Sequence, residues 1–121
     1  MIRVALIDDQ PDFRKITRKI LSLQTDIEIV GEGGNGVEAL EVVEQERPDV
    51  VLMDLHMPIL DGVAATKQLH VTYPDVQIIL FTTFDHDSCI SEGMRAGAVG
   101  YLLKTVPGNT LVAAIRAARQ G

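Results

Sequence analysis

Five short apolar runs recur along the chain, separated by longer amphipathic segments: Ile2 to Ile7, Ile27 to Gly31, Asp49 to Met53, Val76 to Phe81 and Val99 to Leu103. Each is rich in Val, Ile and Leu and too short for an ordinary helix, which predicts five strands. Three are nearly continuous in apolar residues, the pattern of a sheet covered on both faces. The segments between them carry helical spacing. Phe13, Ile16, Ile20 and Leu23 fall three or four apart, as do Val37, Leu40 and Val43 or Glu44. Pro11 suits a first helical turn, and Asn35 followed by Glu38 resembles a capping box. Pro48 and Pro74 stop helices just ahead of strands. Pro107 opens a last helix that runs through Leu111, Ile115 and Ala118 towards Gly121. Alternation of strand and helix five times over predicts one α/β domain across residues 1–121, with a parallel sheet. Right-handed crossovers favour the doubly wound strand order 2-1-3-4-5, with the first and third strands side by side and a functional crevice at the carboxyl ends of the strands.

Composition narrows the class. A chain of 121 residues, 46% of them hydrophobic, has material for one real core. Its net charge of −6 argues against this domain gripping nucleic acid by itself, because phosphate binding needs a concentrated basic surface. Cys89 is the only cysteine, so no internal disulfide forms and a reducing cytoplasm is the expected location. Its neighbours Ser88 and Ile90 offer no activation, and it reads as a packing residue. The first apolar run is too short for a signal peptide. No stretch approaches the roughly 20 apolar residues of a spanning helix, so no membrane association is expected.

The chemistry lies at the strand ends. The first strand finishes in Asp8-Asp9 and the third in Asp54. If those strands are neighbours, three carboxylates converge, repel one another and raise one another's pKa values. A divalent cation resolves the conflict, and an all-oxygen ligand set points to a hard ion such as Mg²⁺ rather than zinc. A single aspartate at a strand end is more often a cap, and Asp9 and Asp12 each suit the start of the first helix. An adjacent pair with a third acid on the next strand is much harder to explain that way. The fourth strand ends in Thr82-Thr83 and the fifth leads to Lys104. A hydroxyl donor and a fixed cation beside a carboxylate and a metal form a cradle for a tetrahedral oxyanion, and phosphoryl transfer needs little more than such alignment and charge stabilisation.

Asp8-Asp9, the run Val51-Leu-Met-Asp-Leu-His-Met-Pro-Ile-Leu-Asp-Gly62, Thr82, and Gly100-Tyr-Leu-Leu-Lys104 together resemble the response-regulator receiver family of bacterial two-component systems. The resemblance covers essentially the whole chain in order and spacing. It implies a flavodoxin-like fold, and a phosphoacceptor role for Asp54, which would take its phosphoryl group from a sensor histidine kinase. It implies Mg²⁺ held by Asp9, Asp54 and the backbone carbonyl of His56, with Asp8 acting through water. It implies that Thr82 and Lys104 hold phosphoryl oxygens, and that Tyr101 changes rotamer as Thr82 moves inward. The ring of His56 is out of character with an all-oxygen pocket. Such a domain is not a conventional enzyme, since it catalyses only its own phosphorylation and dephosphorylation. It is a two-state switch in which new charge at one pocket biases a distant surface.

Many receivers place proline directly after the lysine, whereas Thr105 stands there in this chain, so no cis peptide is expected after Lys104. Gly-Tyr-Leu-Leu-Lys and the ending Ile115-Arg-Ala-Ala-Arg-Gln-Gly121 look most like the subgroup with a C-terminal helix-turn-helix output domain, the NarL/FixJ/LuxR type. That implies a transcription regulator whose DNA contacts lie in an output domain beyond Gly121, with a free-standing receiver as the alternative. In this family His56 and Phe84 flank the acceptor and influence the loss of phosphate, and a bulky Phe84 is expected to lengthen the phosphoryl lifetime. The fourth helix looks weakly built: it contains Gly93, and only Ile90 and Met94 give clear amphipathic spacing. The last helix is apolar or alanine around much of its circumference, offering a surface for a homodimer formed on phosphorylation as well as a face for the sheet.

Three other readings compete, one of them a pure interaction module that is never phosphorylated, against which the intact set of Asp54, Thr82 and Lys104 argues. A flavodoxin-like redox protein needs a Ser/Thr/Gly phosphate loop after the first strand, where this chain has the acidic Asp-Asp-Gln-Pro-Asp. A phosphatase working through an aspartyl phosphate usually has a second acid two residues after its nucleophile, a position held here by His56.

Overall fold

The computed structural model describes residues 1–83 and 86–121. The expectation for the phosphoryl lifetime falls on Phe84, outside the described residues. Strands and helices alternate as β1 (Ile2–Ile7), α1 (Pro11–Ser22), β2 (Ile27–Gly33), α2 (Gly36–Glu46), β3 (Val50–Asp54), α3 (Gly62–Thr72), β4 (Gln77–Thr82), α4 (Ser88–Ala96), β5 (Gly100–Leu103) and α5 (Gly108–Gln120). The strands form one parallel sheet in the order β2-β1-β3-β4-β5. This is the flavodoxin-like doubly wound arrangement.

Helices on both faces divide the core in two. One cluster joins Ala5, Ile7, Val51, Met53, Ile78 and Leu80 to Ala39, Val43, Ala65, Leu69 and Ile90. The other joins Val4, Leu6, Leu52, Ile79 and Phe81 to Leu21, Leu111, Val112 and Ile115. Successive residues of β1, β3 and β4 thus serve opposite clusters. Burial on both faces is why these runs lack a polar alternation.

Helix starts follow the local chemistry. Pro11 opens α1, Asn35 Oδ1 accepts from the Glu38 N–H, and Asp61 Oδ1 accepts from the Ala64 N–H. The Glu38 carboxylate reaches back to the Gly34 N–H at 2.6 Å, one residue earlier than a standard capping box. Neither Asp9 nor Asp12, the alternative cap residues, caps α1. Its N-cap is Gln10, without a side-chain cap bond, and Asp8 Oδ1 accepts from the Gln10 N–H instead.

The face of α1 is also corrected. Ile16 is exposed and Leu23 is 81% exposed, whereas Thr17 and Leu21 are buried beside half-buried Phe13 and Ile20. Thr17 enters the core because its hydroxyl donates to the Phe13 carbonyl within the helix, which satisfies it locally. In α4 the buried positions are Ile90 and Gly93, and Met94 is exposed. A β-carbon on Gly93 would stand 2.5 Å from Leu80 Cδ1, so the glycine lets α4 sit directly on β4. The described residues contain no cis peptide.

Candidate functional site

The strand order puts the carboxyl ends of β1 and β3 side by side, with Ile7 paired to Met53. Asp8 and Asp54 project from these ends and are both buried, while Asp9 is exposed at the rim. One carboxylate oxygen from each of Asp8, Asp9 and Asp54 lies within 4.8 Å of the others. The acids expected to converge therefore do so.

Lys104 follows β5 and crosses to the same place. Its ammonium lies 2.7 Å from Asp8 Oδ2 and 3.5 Å from Asp54 Oδ2, and the side chain is almost wholly buried. The N–H of Lys104 donates to the Thr82 carbonyl at 2.7 Å, which ties the lysine to the end of β4. Asp9, Gln10, Asp54, His56, Thr82, Thr83 and Lys104 line an open cavity of about 140 Å³. Thr82 is buried at its floor and Thr83 is exposed. Tyr101 lies elsewhere, 47% exposed on β5.

The electrostatics are strained in one direction. Burial, with the charge of Asp8 next in weight, pushes the Asp54 carboxyl up to about 7; Lys104 pulls the other way, and a hydrogen bond with Asp9 and its charge add to the rise. Asp8 Oδ2 is buried without a hydrogen bond of good geometry, although the Lys104 ammonium lies beside it.

Three supporting residues had no signal in the sequence. The Arg14 guanidinium, one turn into α1, donates through Nη1 to the carbonyls of Asp8 at 2.6 Å and Gly33 at 3.1 Å, which joins the ends of β1 and β2. The ring of Phe13 faces the Lys104 ammonium, 4.6 Å from the ring centre, and meets Phe81 edge-on at 5.3 Å. Asp87 touches the His56 ring across the rim. Nothing in the spacing of these residues separates them from ordinary helix and loop positions. Gly62, by contrast, stood within the quoted run. A β-carbon there would lie 2.1 Å from the Asp54 carbonyl oxygen, so the chain must be bare where α3 passes the end of β3.

A profile of the response regulator receiver domain matches residues 4–116 of the chain. The chain belongs to this family. Among curated relatives, it is 46% identical over 120 residues to the transcriptional regulatory protein YxjL of Bacillus subtilis, covering 99% of this chain and 55% of the relative. It is 43% identical to LiaR of the same organism, covering 100% and 57%. The chain spans about half the length of these curated relatives. Among solved structures, the receiver domain of the response regulator NarL from Mycobacterium tuberculosis superposes with a TM-score of 0.94 at 31% identity, covering 99% of this chain and 97% of that one. The response regulator domain of CheB from Thermotoga maritima superposes with a TM-score of 0.92 at 29% identity, covering 100% and 98%. This chain is therefore a receiver domain of two-component response regulators, and its curated relatives are transcriptional regulators.

Proposed function

We propose that Asp54 is the phosphoacceptor of this receiver and takes a phosphoryl group from the phosphohistidine of a sensor kinase. A carboxylate oxygen of Asp54 attacks phosphorus, the bond to the histidine nitrogen breaks, and an acyl phosphate forms while the kinase imidazole leaves with the electron pair. The observation that carries this reading is the close gathering of Asp8, Asp9 and Asp54 with the Lys104 ammonium between Asp8 and Asp54.

The pocket fits Mg²⁺. Its donors are carboxylates, the buried Asp8 Oδ2 has an ammonium beside it but no hydrogen bond of good geometry, and Asp54 resists ionisation because one lysine does not offset its burial and two acidic neighbours. Asp9, Asp54 and the backbone carbonyl of His56 would hold the ion, with Asp8 acting through water. Once bound, the ion supplies positive charge opposite the oxygens of the transferring group. Lys104 pairs with one phosphoryl oxygen, exchanging part of its hold on Asp8, and Thr82 donates a hydrogen bond to another. The movement of Thr82 frees space for Tyr101 to turn inward from its exposed position, which alters the surface of β5 and α5.

The same reading places the protein in the cytoplasm and makes transcription its output. DNA would be contacted by an output domain rather than by these acidic residues, and phosphorylation would promote a homodimer. Its chemistry would be limited to its own phosphorylation and dephosphorylation. Incubation with Mg²⁺ and acetyl phosphate tests the core of this proposal. We expect a mass gain of one phosphoryl group, labile to base and absent from Asp54→Asn. Labelling that persists in Asp54→Asn, or fails in the wild type, would refute it.

A further inference from the structure

A second cluster of metal-ligating side chains stands beside the acidic pocket. His56 lies in the loop after β3, Asp87 is the N-cap of α4, and Cys89 is in the first turn of that helix. One ligand atom from each lies within 4.8 Å of the others, and these are a ring nitrogen, a carboxylate oxygen and a sulfur. Among the described residues, no other group besides Asp8, Asp9 and Asp54 brings three potential ligands so close.

We propose that His56, Asp87 and Cys89 form a binding site for a borderline divalent ion of the zinc class, separate from the oxygen-only site for Mg²⁺. The donor set carries the distinction. Imidazole and thiolate are poor partners for a hard ion and good ones for Zn²⁺ or Co²⁺, and three protein ligands leave a position for water. Each donor is available. The His56 side chain is 65% exposed, Asp87 Oδ2 is engaged by the His56 ring rather than by backbone, and Cys89 is a free, half-buried thiol packed beside the core.

Asp87 is preorganised for the role. Its Oδ1 accepts from the Cys89 N–H at 2.9 Å as the helix cap, which fixes the carboxylate while Oδ2 meets the His56 ring. The ion takes the place of the direct contact between His56 Nε2 and Asp87 Oδ2, and the exposed imidazole moves outward to bonding distance. Histidine binds as the neutral ring and cysteine as thiolate, whose proton passes to solvent. The bound ion ties the first turn of α4 to the loop that follows Asp54, reinforcing the link that the His56–Asp87 contact already makes between them.

Co²⁺ titration of the whole chain, in excess Mg²⁺ and a non-thiol reductant, tests this. We expect one Co²⁺ per chain, with the near-ultraviolet charge-transfer band of a cobalt thiolate, competed away by Zn²⁺. Cys89→Ser should abolish the band. His56→Ala, a change at an exposed ring, should weaken Co²⁺ binding by more than the roughly 10- to 100-fold that loss of a partner beyond the ligands costs. Asp9→Asn should leave the band in place. Absence of the band in the folded wild type, its survival at full strength in His56→Ala, or its loss in Asp9→Asn would overturn the proposal. Acetyl phosphate labelling reads the acceptor reaction independently, so failure here is distinguishable from failure of the Asp54 assignment.

Discussion

Asp54 and Ile59 sit five residues apart and are both held in conditions their side chains resist. For Asp54 the resistance is electrostatic. Its carboxyl is pushed up to about 7, chiefly by burial and then by Asp8. An acid whose pKa is higher folded than unfolded binds more protons when folded. Metal-free stability therefore falls as pH rises from about 4 to about 7 and levels off above that. Asp54→Asn removes this dependence. In metal-free buffer it should raise the melting temperature at pH 8, with the gain shrinking towards pH 4, as thermal unfolding across that range would record. For Ile59 the resistance is steric. This β-branched residue has φ 72° and is 82% exposed, so it carries left-handed strain without burial to offset it. Ile59→Asn should stabilise the domain by about 0.5–1 kcal/mol in urea unfolding, since asparagine tolerates that region. The acid cluster was legible in the sequence because strand ends and the strand order predict where side chains gather. The strain at Ile59 was not, because φ at one loop residue depends on how α3 and its glycine close against β3.

Helices show most sharply where linear spacing misleads. On α1 the apolar residues at three- and four-residue intervals were the natural core face, yet Ile16 and Leu23 face outward while Thr17 is buried. The helix is rotated so that Phe13 meets Phe81 and the Lys104 ammonium, contacts that depend on β4 and β5 rather than on α1. On α4, Gly93 looked like a weakness. Measured against isolated-helix propensity, Gly93→Ala should gain up to about 1 kcal/mol. In the fold its new β-carbon meets Leu80, a fully buried side chain with no room to retreat. We expect a net loss of about 1–3 kcal/mol in chemical denaturation, and a stabilised variant would contradict the close packing of α4 on β4.

At the scale of the molecule, the acidic pocket costs the metal-free fold stability. Three acids are brought together by the joining of β1 to β3, and Arg14 locks the ends of β1 and β2 without neutralising the carboxylates themselves. A cation that binds only the folded state stabilises it by mass action, by about 2.7 kcal/mol at a hundred times its dissociation constant. Saturating Mg²⁺ should thus raise the melting temperature of the wild type. Asp9→Asn should remove most of that rise, and calorimetry with and without the ion would measure both.

Composition and periodicity determined the number and kind of elements, the parallel sheet and the positions of the strand-end acids, because burial on two faces and short-range capping are written into neighbouring residues. The tertiary structure alone decided which way each helix turns, why Gly62 and Gly93 must be bare, and that Arg14, Phe13 and Asp87 join the site. Those outcomes depend on the close approach of segments far apart in the chain, and no local pattern records such distances.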